Sequence, residues 1–175
     1  MATTPGGLPY PVGTDKVVDG DDAIRNLATA VDTRPVAVAP LVTGGNLTPL
    51  AYYTIGQGGG FGSPELRGVA FSGAPAIFTV PVAGLYRVGW GIAFGPIAAP
   101  GTIRAARIDD GAATPVARAS VYLTPSVGQA QTLVGTRLLR LAAGAALRLT
   151  AYHDAGGGVP VLPGDTYVSI EWAGV

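Results

Sequence analysis

The chain has 175 residues, of which 48% are hydrophobic, enough for one well-buried domain and a small appendage. Its 11 basic and 11 acidic residues cancel to a net charge of zero without forming a basic stripe, which argues against a nucleic-acid partner. Cysteine is absent, excluding a disulfide framework and a thiolate metal site, and no apolar run reaches the roughly 18 residues of a membrane span.

Only 13% of the residues are charged, where about 25% is usual for a soluble monomer. A surface so poorly ionised is expected to be covered by copies of the chain or by a larger assembly, and zero net charge favours association. The amino terminus lacks the basic-then-apolar pattern of a signal peptide, so the product is expected to be made in a cytosol and to stay soluble there.

Residues 1–18 are rich in proline and glycine and show no periodicity. Such a segment cannot fold alone. Leu8, Tyr10, Pro11 and Val12 make it apolar, which fits an extended arm that docks on a partner; a disordered leader is the other reading. Residues 19–32 predict a helix. Asp19, Asp21 and Asp22 supply an N-cap and first-turn acids suited to the positive end of the helix dipole. Ile24, Leu27 and Val31 then recur at i, i+3 and i+7. A helix this short is marginal alone in water. Its stripe must meet sister helices, a neighbouring protein or the chain's own domain. Pro35 ends the zone, so residues 1–35 are set apart from residues 36–175.

Residues 36–175 read as all-β. Strands are predicted at 36–42, 50–55, 69–72, 76–80, 85–94, 103–108, 115–123, 129–141, 145–152 and 166–172. The clearest is 85–94, where Tyr86, Val88, Trp90, Ile92 and Phe94 alternate with Leu85, Arg87, Gly89 and Gly91. Turn signals separate the strands, among them Asp109-Asp110-Gly111, Ala143-Gly144 and Pro163-Gly164-Asp165. The Ala/Leu-rich run 138–149 has helical propensity, but Gly144 at its middle favours two strands and a tight turn. About ten short strands at this spacing predict a sandwich or jelly roll.

Phe78, Pro81, Gly84 and Tyr86 fit a Phe-x-x-Pro-x-x-Gly-x-Tyr stretch. With Leu139-Arg140-Leu141, Gly144 and the closing strand 167–175, it resembles the globular heads of the first complement component and the related tumour-necrosis-factor jelly rolls. The resemblance spans roughly residues 68–175; Ala145 departs from it where the family usually carries Asp. It implies a homotrimer, with Tyr86, Trp90 or Tyr167 as residues that either face a three-fold axis or fill the sandwich. A second stretch, Leu8-Pro9-Tyr10-Pro11-Val12-Gly13-Thr14-Asp15 followed by Asp19-Gly20-Asp21-Asp22-Ala23-Ile24 and Leu27-Ala28, resembles the start of tail-fibre-like and minor structural proteins of tailed bacteriophages. That resemblance implies attachment to a virion through residues 1–32.

Chemistry finds little support. His153 is the only histidine; it is read as a surface-loop residue beside Asp154, and no nucleophile-elbow sequence surrounds Ser120, Ser126 or Ser169. Asp109-Asp110-Gly111 fits a hairpin turn, with a Ca²⁺ contact as the alternative. Asp19-Gly20-Asp21-Asp22 lacks the later bidentate Glu of a helix–loop–helix calcium site, and the glycine-rich run 56–62 lacks a phosphate-binding Lys-Ser/Thr ending. Glu65 and Glu171 are the only glutamates, and nothing pairs either with an Asp as a glycoside hydrolase needs. No catalytic, cofactor or metal site is expected. Two loops are partner-binding candidates: 56–67 with Phe61, Glu65 and Arg67, and 153–165 with His153, Asp154, Val159, Val161 and Leu162. Both are also readable as plain exposed connections.

The expectation is therefore a non-enzymatic virion protein: a trimeric jelly-roll knob, 36–175, hung from the particle by an anchor, 1–35. Minor tail or tail fibre is the leading placement and capsid decoration or a head fibre the next. A module binding a host receptor or glycan, with Phe61 or Tyr53 stacking on sugar, is the other functional class.

Overall fold

A computed structural model describes residues 2–3, 9–10, 20–57, 60–62, 64–73, 75–96, 103–122 and 130–174. Among them run β1 (Ala2–Thr3), β2 (Pro9–Tyr10), α1 (Gly20–Asp32), β3 (Val36–Pro40), β4 (Asn46–Leu47), β5 (Tyr53–Thr54), β6 (Glu65–Arg67), β7 (Ala70–Gly73) and β8 (Ala76–Thr79). There follow β9 (Gly84–Phe94), β10 (Ile103–Asp110), β11 (Pro115–Tyr122), β12 (Gln131–Leu141), β13 (Ala146–His153) and β14 (Val159–Gly174). β1 and β2 pair with each other, and α1 lies beside β2. The other strands build two antiparallel sheets. One runs β12-β9-β14-β3-β6 with β4 on β14; the other runs β11-β10-β13-β8-β7 with β5 on β13. They stack as a jelly-roll sandwich.

The alternation in β9 does what its period predicts. Tyr86, Val88, Trp90, Ile92 and Phe94 are all buried between the sheets, each contributing roughly 1.5–3 kcal/mol of apolar burial. Opposite Trp90, β12 carries Gly135, where any side chain would collide with the indole. From the second sheet Phe78, Ile108, Leu147 and Leu149 complete the core. Tyr86 and Trp90 are thus sandwich interior and do not face an axis. The run 138–149 is two strands: Gly144 takes a left-handed φ of 78° and Ala145 N donates to Ala142 O, closing a tight turn.

The last strand corrects the sequence reading. Residues 159–174 form one strand, and the expected turn Pro163-Gly164-Asp165 is a bulge within it. The register with β9 jumps between Leu162↔Ala93 and Tyr167↔Gly91. The Thr166 hydroxyl bridges the gap, accepting from Ala93 N at 3.0 Å and donating to Leu162 O at 2.8 Å. Val159 and Val161 are therefore core residues and Leu162 is half-buried. A turn signal looks the same in sequence whether the chain reverses or merely bulges.

Candidate assembly surface

One outer face of the sandwich is covered by its own chain where Tyr52 crosses β10 and β13. Along the outside of β10 and β13, the Arg107 guanidinium sits 3.5 Å from the Tyr52 ring and pairs with buried Asp109. The Arg107 Nε–Asp109 Oδ1 contact of 2.6 Å is ionic, while Arg107 Nη2 and the Thr150 hydroxyl both donate to Asp109 Oδ2 at 3.0 Å. Tyr52 also contacts Tyr152 at 5.1 Å between ring centroids. Next door, Asp110 Oδ1 accepts from Ala112 N and Thr114 N, which makes Asp109-Asp110-Gly111 the expected hairpin turn.

The outer face of the other sheet is bare. The pairings align three rows across it. The first is Leu138, Arg87, Glu171, Val36 and Arg67; the second is Thr136, Gly89, Ser169, Val38 and Glu65; the third is Val134, Gly91, Tyr167 and Pro40. Val134 is 63%, Leu138 55% and Val38 44% exposed, although each is apolar and on a strand. The glycines flatten the centre, leaving a depression of about 160 Å³ over Gly89. The only ion pair on these rows among the described residues, Arg87–Glu171 at 3.2 Å, is solvent-exposed and contributes little. The first row carries that pair and Arg67, the second carries Glu65 at the β6 edge, and the third is uncharged. The charges balance, and the exposed Val134, Leu138 and Val38 around a glycine-flattened centre resemble the core of an interface more than a solvated surface.

The helix offers a second bare strip. Ile24 is 67% exposed and Leu27 faces solvent beside it, so the sandwich does not cover these two residues of the apolar stripe. Among the described side chains of the helix, Ala23 alone is buried. The helix ends where the Thr33 amide and hydroxyl both donate to Thr29 O, just before Pro35.

The other residues singled out from sequence divide as follows. Leu8, Pro11, Val12 and Ser126 lie outside the described residues, as do the side chains of Tyr10, Val31 and Ser120. Phe61 is not an exposed loop aromatic: it is buried, with its ring edge-on to Phe71 and Phe78 at 6.2 and 5.8 Å. Its ring packs over Gly56, which has a left-handed φ of 74° and no room for a Cβ beneath the ring. Glu65 and Arg67 are exposed, on edge strand β6 rather than in a loop. His153 is not at the surface; it is 0% exposed, at the end of β13, with Nε2 bonded to Leu47 O at 3.0 Å. Because a carbonyl only accepts, Nε2 carries the proton. Ser169 faces outward on the opposite sheet, so the two cannot form a nucleophile–base pair. Asp154 accepts from Ile103 N at 2.7 Å. Arg104, not singled out from sequence, is 3% exposed with its guanidinium 5.4 Å from the Phe94 ring, and burial lowers its pKa. Its only sequence signal is a charge at an inward position of an alternating strand. The bare face itself had a readable signal: two of its β9 positions, Gly89 and Gly91, are glycine, where a solvated face would carry polar side chains.

No protein-family model matches the chain, and no curated protein matches it. Among solved structures it is similar to Eiger TNF from S. frugiperda, with a TM-score of 0.63 over 81% of this chain and 93% of that one, at 10% identity. The likeness shows the fold, a tumour-necrosis-factor-like jelly roll.

Proposed function

We propose that the chain is a non-enzymatic structural protein of a tailed-bacteriophage virion, a homotrimeric jelly-roll knob hung from the particle by residues 1–32. The observation that carries the reading is the pair of bare apolar strips, one on the β12-β9-β14-β3-β6 face and one on α1, in a chain with so few charges. The sheet face holds the copies together. Val134, Leu138 and Val38 bury against their equivalents, Tyr167 faces the axis, and the glycines allow close approach. The stripe of Ile24 and Leu27 meets sister helices or the particle. The virion setting is supported by the resemblance of residues 8–28 to phage minor structural proteins, which also favours the tail over the capsid.

Light scattering on the full chain tests the assembly: a mass of three protomers is expected, and a single-protomer mass at micromolar concentration ends the trimer. Deleting residues 2–32 tests the anchor. The shortened chain is expected to remain a trimer and to be missing from purified particles; full incorporation overturns the anchoring role.

A further inference from the structure

We propose that the cleft between the β3–β4 connection and the β5 turn is a binding site for one neutral sugar ring. It holds about 220 Å³, below the usual range of small-ligand sites, which limits an occupant to about one ring. This site does not depend on the virion setting or on the trimer.

The lining divides by chemistry. Leu41, Leu47, Ile55 and Val161 form a buried apolar floor. Thr43, Asn46 and Gln57 stand exposed at the rim, with Tyr53 half-buried along one side. Among the described residues, no carboxylate, ammonium, guanidinium or imidazole lines the cleft. A metal ion or a charged ligand would therefore find no counter-charge. A wholly apolar ligand would cover the two amides and leave them without partners. A sugar ring matches both parts: its C–H face suits the floor and the Tyr53 ring, while its hydroxyls both donate and accept, as do the amides and the threonine hydroxyl.

The walls are already pinned. Val42 N and Thr43 N both donate to Gly60 O, Val161 N donates to Gly45 O at 2.8 Å, and Ile55 N donates to Leu149 O at 2.8 Å. The bond from His153 Nε2 to Leu47 O holds the floor from behind. A cleft fixed before the ligand arrives spends little binding energy on ordering.

Saturation-transfer NMR on the full chain tests this with glucose, galactose, mannose and N-acetylglucosamine, each as the free sugar and as its methyl glycoside. Transfer to at least one is expected, and it should fall by about tenfold or more in Gly45→Trp. A Cβ at Gly45, on the cleft lining, meets nothing within 4 Å and its φ is not left-handed, so a side chain can start there with neither backbone strain nor a clash at Cβ. Asn46→Ala and Gln57→Ala, at exposed positions, should each weaken transfer with unchanged thermal unfolding. Equal signals from methyl glycosides and free sugars assign the end of a glycan; signals from free sugars alone assign a free monosaccharide; both uphold the site. No transfer from any of the panel, or transfer that survives Gly45→Trp undiminished, overturns it.

Discussion

Tyr167 and Gly91 face each other on neighbouring strands, and the tyrosine ring lies so close over the glycine that a methyl group there would sit 2.5 Å from Cε1. The glycine keeps the ring flat against the sheet and the outer face shallow. Gly91→Ala should lift the ring outward and cost about 1–3 kcal/mol of stability through overpacking. In the trimer reading it should also shift light-scattering mass toward the single protomer. Val134→Asp separates the two effects: a charge at so exposed a site should split the assembly while changing subunit stability by no more than about 0.5 kcal/mol. An undiminished trimer in Val134→Asp would place the contact elsewhere.

Phe61 distinguishes a core role from a partner role. Its contacts with Phe71 and Phe78 make it part of the packed interior. Phe61→Ala should cost about 3–5 kcal/mol in urea unfolding. A loss below about 1 kcal/mol would show that the ring does not pack as described.

Arg104 is a guanidinium buried beside Phe94, with Nη1 unpartnered. Burying such a charge opposes folding. Arg104→Met keeps the volume and removes the charge, so it should raise unfolding stability by about 1 kcal/mol or more. A destabilised variant would mean that the cation is needed where it is.

Tyr86 predicts the alkaline limb of the stability curve. Burial raises its pKa above the ordinary 10.0. Above that value the unfolded chain releases the phenol proton while the folded chain keeps it, so the unfolded state binds fewer protons and stability falls as pH rises. The contribution is complete below pH 10 and is lost on the way up to the folded value. Tyr86→Phe should lack this limb and, having lost the 2.8 Å bond to Val82 O, should be weaker at neutral pH by about 1 kcal/mol. Identical alkaline limbs in both proteins would assign the effect to other groups.

Much of the fold is legible because its signals are local. The five inward residues of β9 alternate in plain sight, Gly144 divides an otherwise helical composition, and Asp110 marks its own turn. The misplaced residues share a different cause. Phe61 and His153 sit in glycine-rich, turn-like sequence that reads as exposed, and each is drawn inward by a partner distant in sequence: Phe78 for the one, the Leu47 carbonyl for the other. The bulge at 163–166 likewise exists only because Thr166 finds Ala93 across the sheet.

The sequence alone determined that this chain is a β-sandwich with a short amphipathic helix ahead of it, since periodicity and turn chemistry act between near neighbours. It also determined that ionised groups are sparse, at 13% of the residues. Only the tertiary structure decided which sheet covers its own outer face and which leaves Val38, Val134 and Leu138 bare, that Tyr167 rather than Tyr86 or Trp90 looks outward, and that a neutral cleft opens beside Tyr53. Those outcomes depend on strand order and register, which join residues across long stretches of chain and leave no periodic mark within any one of them.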